Sequence, residues 1–170
     1  KKYKIKIGVL TFEPMPKMFF NKKLKNFRIS NKFQKIGLLK KFGVDFVIVK
    51  KFDKNFSKTK SISFIKNILN TKLNAKFIFV SNNFRFGNKR EGNVNLLKKY
   101  EQFFNYKVIK PEPLIKNKKI VSSSLIRNLL ENGLLDKANK LLKRNWAIQG
   151  VVKKGRQIGK KIGFPTANID

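Results

Sequence analysis

Short apolar runs alternate with helical patterns along most of this chain. The runs are rich in Ile, Val and Phe, and they cover Ile5–Phe12, Val44–Val49, Lys76–Ser81 and Tyr106–Ile109. Apolar residues at helical spacing predict helices over Asn31–Phe42, Ser61–Leu73, Asn93–Phe104, Ser122–Glu131 and Leu134–Leu142. Because strands that alternate with helices usually form a parallel sheet, the pattern predicts an α/β domain with a mostly parallel, doubly wound sheet.

Residues at the helix ends support these assignments. Ser61 is a candidate N-cap, and Gly43 and Gly133 suit helix C-termini because glycine readily adopts the left-handed conformation. The apolar residues of the Ser61 helix fall on one face, which we expect to face the core. They are Phe64, Ile65, Ile68 and Leu69.

The pattern changes after Arg144. Trp146–Val152 reads as the start of a new strand and leads into a glycine-rich stretch with no helix signal. We therefore expect a domain boundary near residues 142–146. The chain begins with Lys1 rather than Met and stops soon after the glycine-rich stretch. We expect it to be an interior piece of a longer protein.

Composition excludes several kinds of site. The chain has no Cys and no His, which excludes disulfides, the usual zinc ligands and catalytic triads that need imidazole. No run of about 18 apolar residues occurs, so no membrane span is predicted. No signal peptide is visible.

The net charge of +32 is the feature that favours a nucleic-acid partner. Only six of the 41 basic residues are Arg, and the lysines are spread along the whole chain. Arg is the residue preferred for base readout and bidentate phosphate binding. Abundant Lys, Asn, Ile and Phe are typical of an AT-rich coding sequence, so we favour a solvated basic surface over a nucleic-acid interface.

Ligands of doubly wound folds lie beyond the carboxyl ends of the strands, and the first candidate segment there is Val121–Arg127. Ser122, Ser123 and Ser124 open a predicted helix, whose N–H groups and dipole favour an anion. Arg127 lies three residues after Ser124 and four after Ser123, so it shares their helix face. Its guanidinium could bind the same phosphate. The alternative is an ordinary serine N-cap with a surface arginine.

The second candidate segment is Ser81–Gly87, just past a predicted strand. Asn83 can present both a donor and an acceptor to a base or ribose, and Arg85 lies between two aromatic residues. The alternative is a turn in which Phe84 and Phe86 are buried in the core.

The third candidate segment is Thr11–Pro16. Thr11 and Glu13 lie at a strand end, where substrate contacts gather. The alternative is a rigid proline turn, and since Glu13 has no carboxylate partner in the segment, acid–base catalysis is not predicted.

The fourth candidate segment is Gly155–Asp170. Its glycines, Gly155, Gly159 and Gly163, allow close backbone approach to a ligand, and Lys160 supplies positive charge. Thr166 and Asn168 supply neutral oxygens of the kind that Mg²⁺ accepts beside phosphate oxygens. The segment suits a nucleoside triphosphate, and the alternative is a flexible linker.

Together and in this order, these segments resemble the bacterial bifunctional riboflavin kinase/FMN adenylyltransferase family, also called FAD synthetase. The family's TFEPHP, GVD…FD, VGxDFRFG and SSTxIR motifs and its GFPTANI kinase signature all have counterparts. Those counterparts are TFEPMP (11–16), GVDFVIVKKFD (43–53), VSNNFRFGNKREGN (80–93), VSSSLIR (121–127) and GFPTANI (163–169). ENGLLDKANKLLKR (131–144) is similar to the helix pair that leads to the family's LGR.

The resemblance implies two domains. Residues 1–142 would be an N-terminally truncated FMN adenylyltransferase domain, Rossmann-like and of the nucleotidylyltransferase type. Residues 143–170 would start a riboflavin kinase domain, a β-barrel truncated at its C-terminus. The implied reactions are adenylyl transfer from ATP to FMN, giving FAD and pyrophosphate, and phosphorylation of riboflavin by ATP with Mg²⁺, in a cytoplasmic enzyme without nucleic-acid or membrane partners.

The resemblance also implies roles for the candidate residues. Ser122, Ser123, Ser124 and Arg127 would bind ATP phosphates. Asn83, Arg85, Thr11 and Glu13 would contact nucleotide or flavin. The kinase ATP loop would comprise Gly155, Gly159, Lys160 and Gly163, and the metal ligands would be Thr166 and Asn168.

Several positions depart from the family pattern. Met15 stands where the family has His, Ser81 replaces Gly, and Asn83 stands where many members have Asp. Ser124 replaces Thr and keeps the hydroxyl, and Lys143 stands at the Gly of LGR. The family's GxFDGxHxGH motif and the kinase carboxylate are absent, so we expect no catalytic residue within the chain, and an active parent but an inactive isolated piece.

Two alternatives stay open. One is an FMN adenylyltransferase whose kinase module is degenerate. The other is a basic nucleic-acid-binding protein.

Overall fold

A computed structural model gives the chain a mixed α/β fold and describes residues 5–24, 28–116, 118–153, 155, 158, 162–164 and 168–169. The α-helices are α1 (Pro16–Phe20), α2 (Lys32–Lys41), α3 (Lys54–Ser57), α4 (Ser61–Ser63), α5 (Val94–Lys99), α6 (Glu101–Phe104), α7 (Ser123–Glu131) and α8 (Leu135–Leu142). A π-helix, Phe64–Lys72, continues α4, and a 3₁₀ turn covers Asn88–Arg90.

The strands are short and pair two by two. They are β1 (Gly8–Glu13), β2 (Phe46–Lys51), β3 (Phe77–Phe79), β4 (Arg85–Phe86), β5 (Gly92–Asn93), β6 (Lys107–Ile109), β7 (Ile115–Lys116), β8 (Lys119–Ile120), β9 (Val152–Lys153) and β10 (Asn168–Ile169). β3 pairs in parallel with β6. β4–β5, β7–β8 and β9–β10 pair antiparallel.

β1 pairs with β2. The N–H of Asp45 donates to the carbonyl of Ile7 at 2.8 Å, and the N–H of Phe52 donates to the carbonyl of Glu13 at 2.9 Å. Residue numbers rise in both segments from the first bond to the second, so the two strands run in the same direction. The parallel pairs confirm the α/β character expected from the alternation.

The chain divides into two units by contact. The first is formed by the described residues of Lys1–Val9, Asn26–Val47 and Ser122–Asp170. The second is formed by those of Leu10–Lys25 and Ile48–Val121.

The second unit contains a hydrophobic core built on the parallel β3–β6 pair and the helices that pack on it. Its buried members are Phe64, Ile65, Leu69, Ile78, Phe86, Val94, Leu97, Phe104, Tyr106 and Val108. The Tyr106 hydroxyl donates to the carbonyl of Leu97 at 2.7 Å, and burial raises the pKa of Tyr106 to about 12. The phenol is therefore a neutral, satisfied donor inside the core.

The helix that begins at Ser61 confirms the predicted inner face and corrects its cap. Phe64, Ile65 and Leu69 are buried, and Ile68 packs against them. Ser61 is not the N-cap: the cap is Lys60, which makes no side-chain cap bond, and Ser61 is already helical. Its N–H donates instead to the Glu91 carboxylate at 2.7 Å, a partner 30 residues away that local sequence does not reveal.

The predicted helix over 93–104 is two helices. Asn93 caps α5 through its side chain, which accepts the N–H of Leu96 at 2.9 Å. Tyr100 then adopts φ −99° and ψ 7°, which ends α5 before α6 begins.

The first unit is helical where it is best packed. α2 begins with a capping box in which Asn31 and Gln34 each accept the other's backbone N–H. α7 and α8 pack on each other, with Ile126 3% and Ala138 0% exposed. Gly133, at φ 70°, makes the turn between them, as the sequence predicts.

The strand predicted over Trp146–Val152 is wrong for most of its length, because only Val152 and Lys153 form β9. The indole N–H of Trp146 donates to the carbonyl of Ile29 at 2.8 Å. Contacts with the start of α2 therefore replace the ladder bonds that a strand needs.

Replacing Lys143 by glycine is expected to stabilise the chain. Lys143 ends α8 at φ 56° and ψ 28°, the left-handed region, where a side chain costs about 1–2 kcal/mol. Glycine's freedom in the unfolded chain offsets part of the gain, so the free energy of unfolding should rise by about 0.5–1 kcal/mol in urea denaturation. Lys140→Gly, inside the same helix, is the control and should lower it by about 1 kcal/mol; destabilisation by both changes would contradict the expectation.

Candidate functional site

The start of α7 has the geometry of an anion-binding helix terminus. The Ser122 side chain accepts the N–H of Leu125 at 3.2 Å, and the carbonyl of Ser122 accepts the N–H of Ile126 at 3.1 Å. Helix geometry gives the N–H groups of Ser123 and Ser124 no intrahelical acceptor, and both residues are exposed. Two hydroxyls and two amides therefore share the positive end of the helix.

Arg127 lies in the same unbroken helix, one turn further on. Its side chain is partly buried. Burial lowers the pKa of Arg127, and the Glu131 carboxylate opposes this effect. The guanidinium stays protonated, as arginine does in proteins, so the predicted face of Ser123, Ser124 and Arg127 combines hydroxyls with a permanent positive charge.

In the second unit, both interpretations of the Ser81–Gly87 segment apply, each to different residues. Phe86 is buried and stacks on Phe84 with ring centroids 5.5 Å apart, as the core interpretation requires. Asn83 and Arg85 are exposed, as a binding role requires. The Ser81 hydroxyl donates to the Asn83 side-chain oxygen at 3.0 Å, which leaves the amide N–H₂ of Asn83 to face solvent.

The loop after Phe86 is tied to the start of α4. The N–H of Asn88 donates to the carbonyl of Thr59 at 2.7 Å, and Glu91 accepts the N–H of Ser61. Gly87, at φ 78°, passes so close to α4 that a Cβ would lie 2.8 Å from the backbone nitrogen of Ser61. These contacts hold the segment that carries Asn83 and Arg85.

Gly87→Ala is expected to loosen this loop. Gly133→Ala is the matched control, because Gly133 also has a positive φ but a Cβ there meets nothing within 4 Å. Gly87 also has ψ 175°, in a backbone region that essentially only glycine adopts, so Gly87→Ala adds both greater backbone strain and the clash. We expect Gly87→Ala to lower the free energy of unfolding by roughly 1–3 kcal/mol more than Gly133→Ala in urea denaturation, and equal losses would contradict the close approach.

Thr11 and Glu13 lie at the carboxyl end of β1 and are partly buried. The backbone of Glu13 accepts the N–H of Phe52, which ties the ends of β1 and β2 together. The Glu13–Pro14 peptide bond is cis, and the helix α1 begins at Pro16. The predicted strand-end position of Thr11 and Glu13 is confirmed.

An aromatic cluster beside these residues was not predicted. It joins Phe12, Phe19, Phe20, Phe52 and Phe56 through ring contacts of 5.1–5.9 Å. Phe20 is 70% exposed. The cluster offers an apolar, aromatic surface at the ends of β1 and β2, and the phenylalanines that follow both predicted strands were the signal that could have revealed it.

The glycine-rich segment is described in part. Gly155 is exposed, and Gly163 adopts φ 84°, which favours glycine. Asn168 lies in β10 opposite Lys153. Gly159, Lys160 and Thr166 lie outside the described residues.

Metal-binding clusters and membrane spans are both missing from the described part of the chain. Those residues include no group of three or more His, Cys, Asp and Glu that could hold a metal ion. Within the same residues, no helix combines the length and apolarity needed to cross a bilayer.

Two family models match the chain in succession. The FAD synthetase model matches residues 1–125, and the riboflavin kinase model matches residues 142–170.

Relatives named bifunctional riboflavin kinase/FMN adenylyltransferase match along nearly all of the chain. The protein from Buchnera aphidicola subsp. Schizaphis graminum is 43% identical over 170 residues, covering 99% of this chain and 54% of its own length. The protein from Haemophilus influenzae is 37% identical over 163 residues, covering 96% and 53%. The one from Escherichia coli K12 is 32% identical over 169 residues, covering 99% and 54%. The chain thus spans about half the length of the curated relatives it matches.

A solved structure also matches. It is titled "Crystal Structure of Macrolide-efflux Protein from Streptococcus pneumoniae", has a TM-score of 0.76 and 28% identity, and is matched over 98% of this chain and 54% of its own. The two structures therefore share the fold over the matched residues. Since the FAD synthetase model alone matches well over half of the residues, the chain belongs to the FAD synthetase family.

Proposed function

We propose that this chain is part of an enzyme that makes FMN and FAD. Residues 1–142 would belong to a Rossmann-like FMN adenylyltransferase domain, and residues 143–170 would begin a β-barrel riboflavin kinase domain. The observation that carries the proposal is the succession of the two family matches, in the chain order of the motifs. The parallel β1–β2 and β3–β6 pairs support the Rossmann-like assignment.

The first reaction joins FMN to the AMP part of ATP. A phosphate oxygen of FMN attacks the α-phosphorus of ATP. The bond from that phosphorus to the α–β bridging oxygen breaks, and pyrophosphate leaves. Such phosphorus transfers depend on positioning and on neutralising charge. Ser122, Ser123, Ser124 and Arg127 supply a helix N-terminus, hydroxyls and a cation for the phosphates of ATP.

Thr11, Glu13, Asn83 and Arg85 would contact the nucleotide and the flavin. The exposure of Asn83 and Arg85 and the strand-end position of Thr11 and Glu13, all in the second unit, support this assignment. The aromatic cluster around Phe20 gives a flat, apolar ring a surface to pack on. A flavin nucleotide suits both the aromatic surface and the polar side chains, because its flat ring system carries a polar phosphorylated tail.

In the second reaction a riboflavin hydroxyl attacks the γ-phosphorus of ATP and loses its proton, ADP leaves, and FMN is formed. Gly155, Gly159, Lys160 and Gly163 would form the loop around the phosphates. Thr166 and Asn168 would hold Mg²⁺, a donor set of neutral oxygens that fits a cation whose other ligands are phosphate oxygens and water. When bound, Mg²⁺ supplies positive charge that offsets the charge of the phosphates. Because both reactions use ATP, we assign them to the cytoplasm.

The experiment that tests the proposal is product analysis on the full-length parent protein. We expect FMN with Mg²⁺-ATP to give FAD and pyrophosphate, and riboflavin with Mg²⁺-ATP to give FMN. FAD formation without riboflavin phosphorylation would support a single-activity adenylyltransferase. Absence of both products, together with salt-dependent binding to random duplex DNA, would instead favour the nucleic-acid alternative.

The isolated 170-residue chain is the companion sample. We expect no FAD from it, because the phosphate-binding motif that the family carries upstream does not occur in this sequence. FAD formation by the chain alone would overturn that expectation and leave the proposed reaction intact.

A further inference from the structure

The segment Arg144–Gln149, which we term the strap, lies against residues Ile29–Gln34 at the start of α2. Four side-chain hydrogen bonds join them. These run from Arg144 Nη2 to Ser30 Oγ (2.9 Å), from Trp146 Nε1 to the Ile29 carbonyl (2.8 Å), from Gln34 Nε2 to the Ala147 carbonyl (2.9 Å) and from Asn31 Nδ2 to the Gln149 carbonyl (2.6 Å). All of these residues belong to the first unit.

Two of the donors come from the capping box of α2. The side-chain oxygen of Asn31 accepts the N–H of Gln34 at 2.8 Å, and the side-chain oxygen of Gln34 accepts the N–H of Asn31 at 2.9 Å. The N–H₂ groups of the same two amides donate to the strap. Each amide therefore uses its oxygen for the helix and its nitrogen for the strap, which makes the two roles chemically separable.

The strap has no strand partner, although its sequence resembles a strand. Within the described residues, β9 does not begin until Val152. The strap is also bonded to α8, since the N–H of Trp146 donates to the Asn139 side chain at 2.7 Å. A segment with bonds to both α8 and the start of α2 is constrained in a way that an ordinary exposed connection is not.

We propose that residues Ile29–Gln34 are an intramolecular docking surface for the strap. The strap is the first part of the segment that matches riboflavin kinase, so that segment begins docked on residues of the FAD synthetase segment rather than as a free tether. The name of the second segment rests on the proposed function, whereas the docking itself does not.

The test uses Trp146, which is the only tryptophan in the chain and lies within the strap. In the double variant Asn31→Asp/Gln34→Glu, both capping oxygens are kept and both donors to the strap are lost. The new carboxylates also face the carbonyls of Ala147 and Gln149. We expect the acrylamide quenching constant of Trp146 to rise about twofold or more as the strap opens locally, with a red-shifted emission and unchanged far-UV circular dichroism.

The matched control is Asn93→Asp. Asn93 caps α5 through the same kind of bond, to the N–H three residues on, and makes none of the strap bonds, so its replacement adds a carboxylate to a helix N-cap and should leave Trp146 quenching unchanged. If the double variant loses helicity, Ser30→Ala provides the same readout, because it removes the acceptor of Arg144 and leaves the capping box intact.

Unchanged quenching in the folded double variant, or in Ser30→Ala where that variant is needed, would overturn the docking proposal. The readout requires neither flavin nor ATP. A protein without FAD-forming activity could therefore still show docking, and an active enzyme could lack it.

Discussion

Replacement of Arg127 by alanine in the full-length protein is expected to lower kcat/KM for FAD formation by about 100-fold or more, the scale of losing one donor to developing charge. Arg127 shares a helix face with Ser123 and Ser124, and its partial burial removes water that would screen its charge. Removing the guanidinium should therefore weaken the response of the thermal midpoint to ATP as well.

Two further variants decide whether the charge or the side-chain packing matters. Arg127→Lys keeps a positive charge and loses the planar fork, so we expect it to recover part of the activity. Asn128→Ala changes an exposed neighbour on the same helix and should leave kcat/KM unchanged. Full activity in a folded Arg127→Ala protein would remove the α7 terminus from the proposed site.

Replacement of Ile65 by alanine is expected to lower the free energy of unfolding by about 2–5 kcal/mol, because the side chain is 0% exposed and its loss leaves a cavity. Ile65 lies in the core of the second unit with Phe64 and Leu69, where neighbours pack from several elements. Urea denaturation of the chain measures the change.

Ile62→Ala is the control on the same helical segment. Ile62 is 48% exposed, so the same truncation should change the free energy of unfolding by no more than about 1 kcal/mol. Similar losses from both variants would mean that Ile65 does not occupy a close-packed core.

Local signals predicted most of the elements. The apolar spacing and the caps gave α2 and α7 to within a residue or two, with Ser122 as N-cap and Gly133 after α7. Where partners far along the chain decide the structure, the sequence was less informative. The Glu91 carboxylate accepts the N–H of Ser61 at the start of α4, and the Trp146 indole donates to the Ile29 carbonyl where a strand was predicted.

The α2 helix shows a second limit. Phe33 and Phe42 follow its helical spacing, yet they are 72% and 80% exposed. Spacing identifies a face but does not say what covers it.

The candidate site was predictable where motifs are local. The serines before Arg127 and the exposed Asn83 and Arg85 could be named from their positions after predicted strands and at a helix start. The aromatic cluster was missed because it combines Phe12 and Phe20 with Phe52 and Phe56, and the pairing of β1 with β2 is what brings these distant segments together. The alternative function, binding of nucleic acid, depended on composition alone, and the family match favours the flavin enzyme.

The division of the chain into units has a consequence during synthesis on the ribosome. The core of the second unit lies between Phe64 and Val108, a continuous stretch that can collapse soon after it leaves the exit tunnel. The first unit combines Lys1–Val9 and Asn26–Val47 with Ser122–Asp170, so the nascent α2 must wait for the translation of residues 48–121 before its later partners arrive. During that interval Ile36 and Leu39 of α2, which are partly buried in the finished fold, are open to chaperones that bind emerging apolar segments.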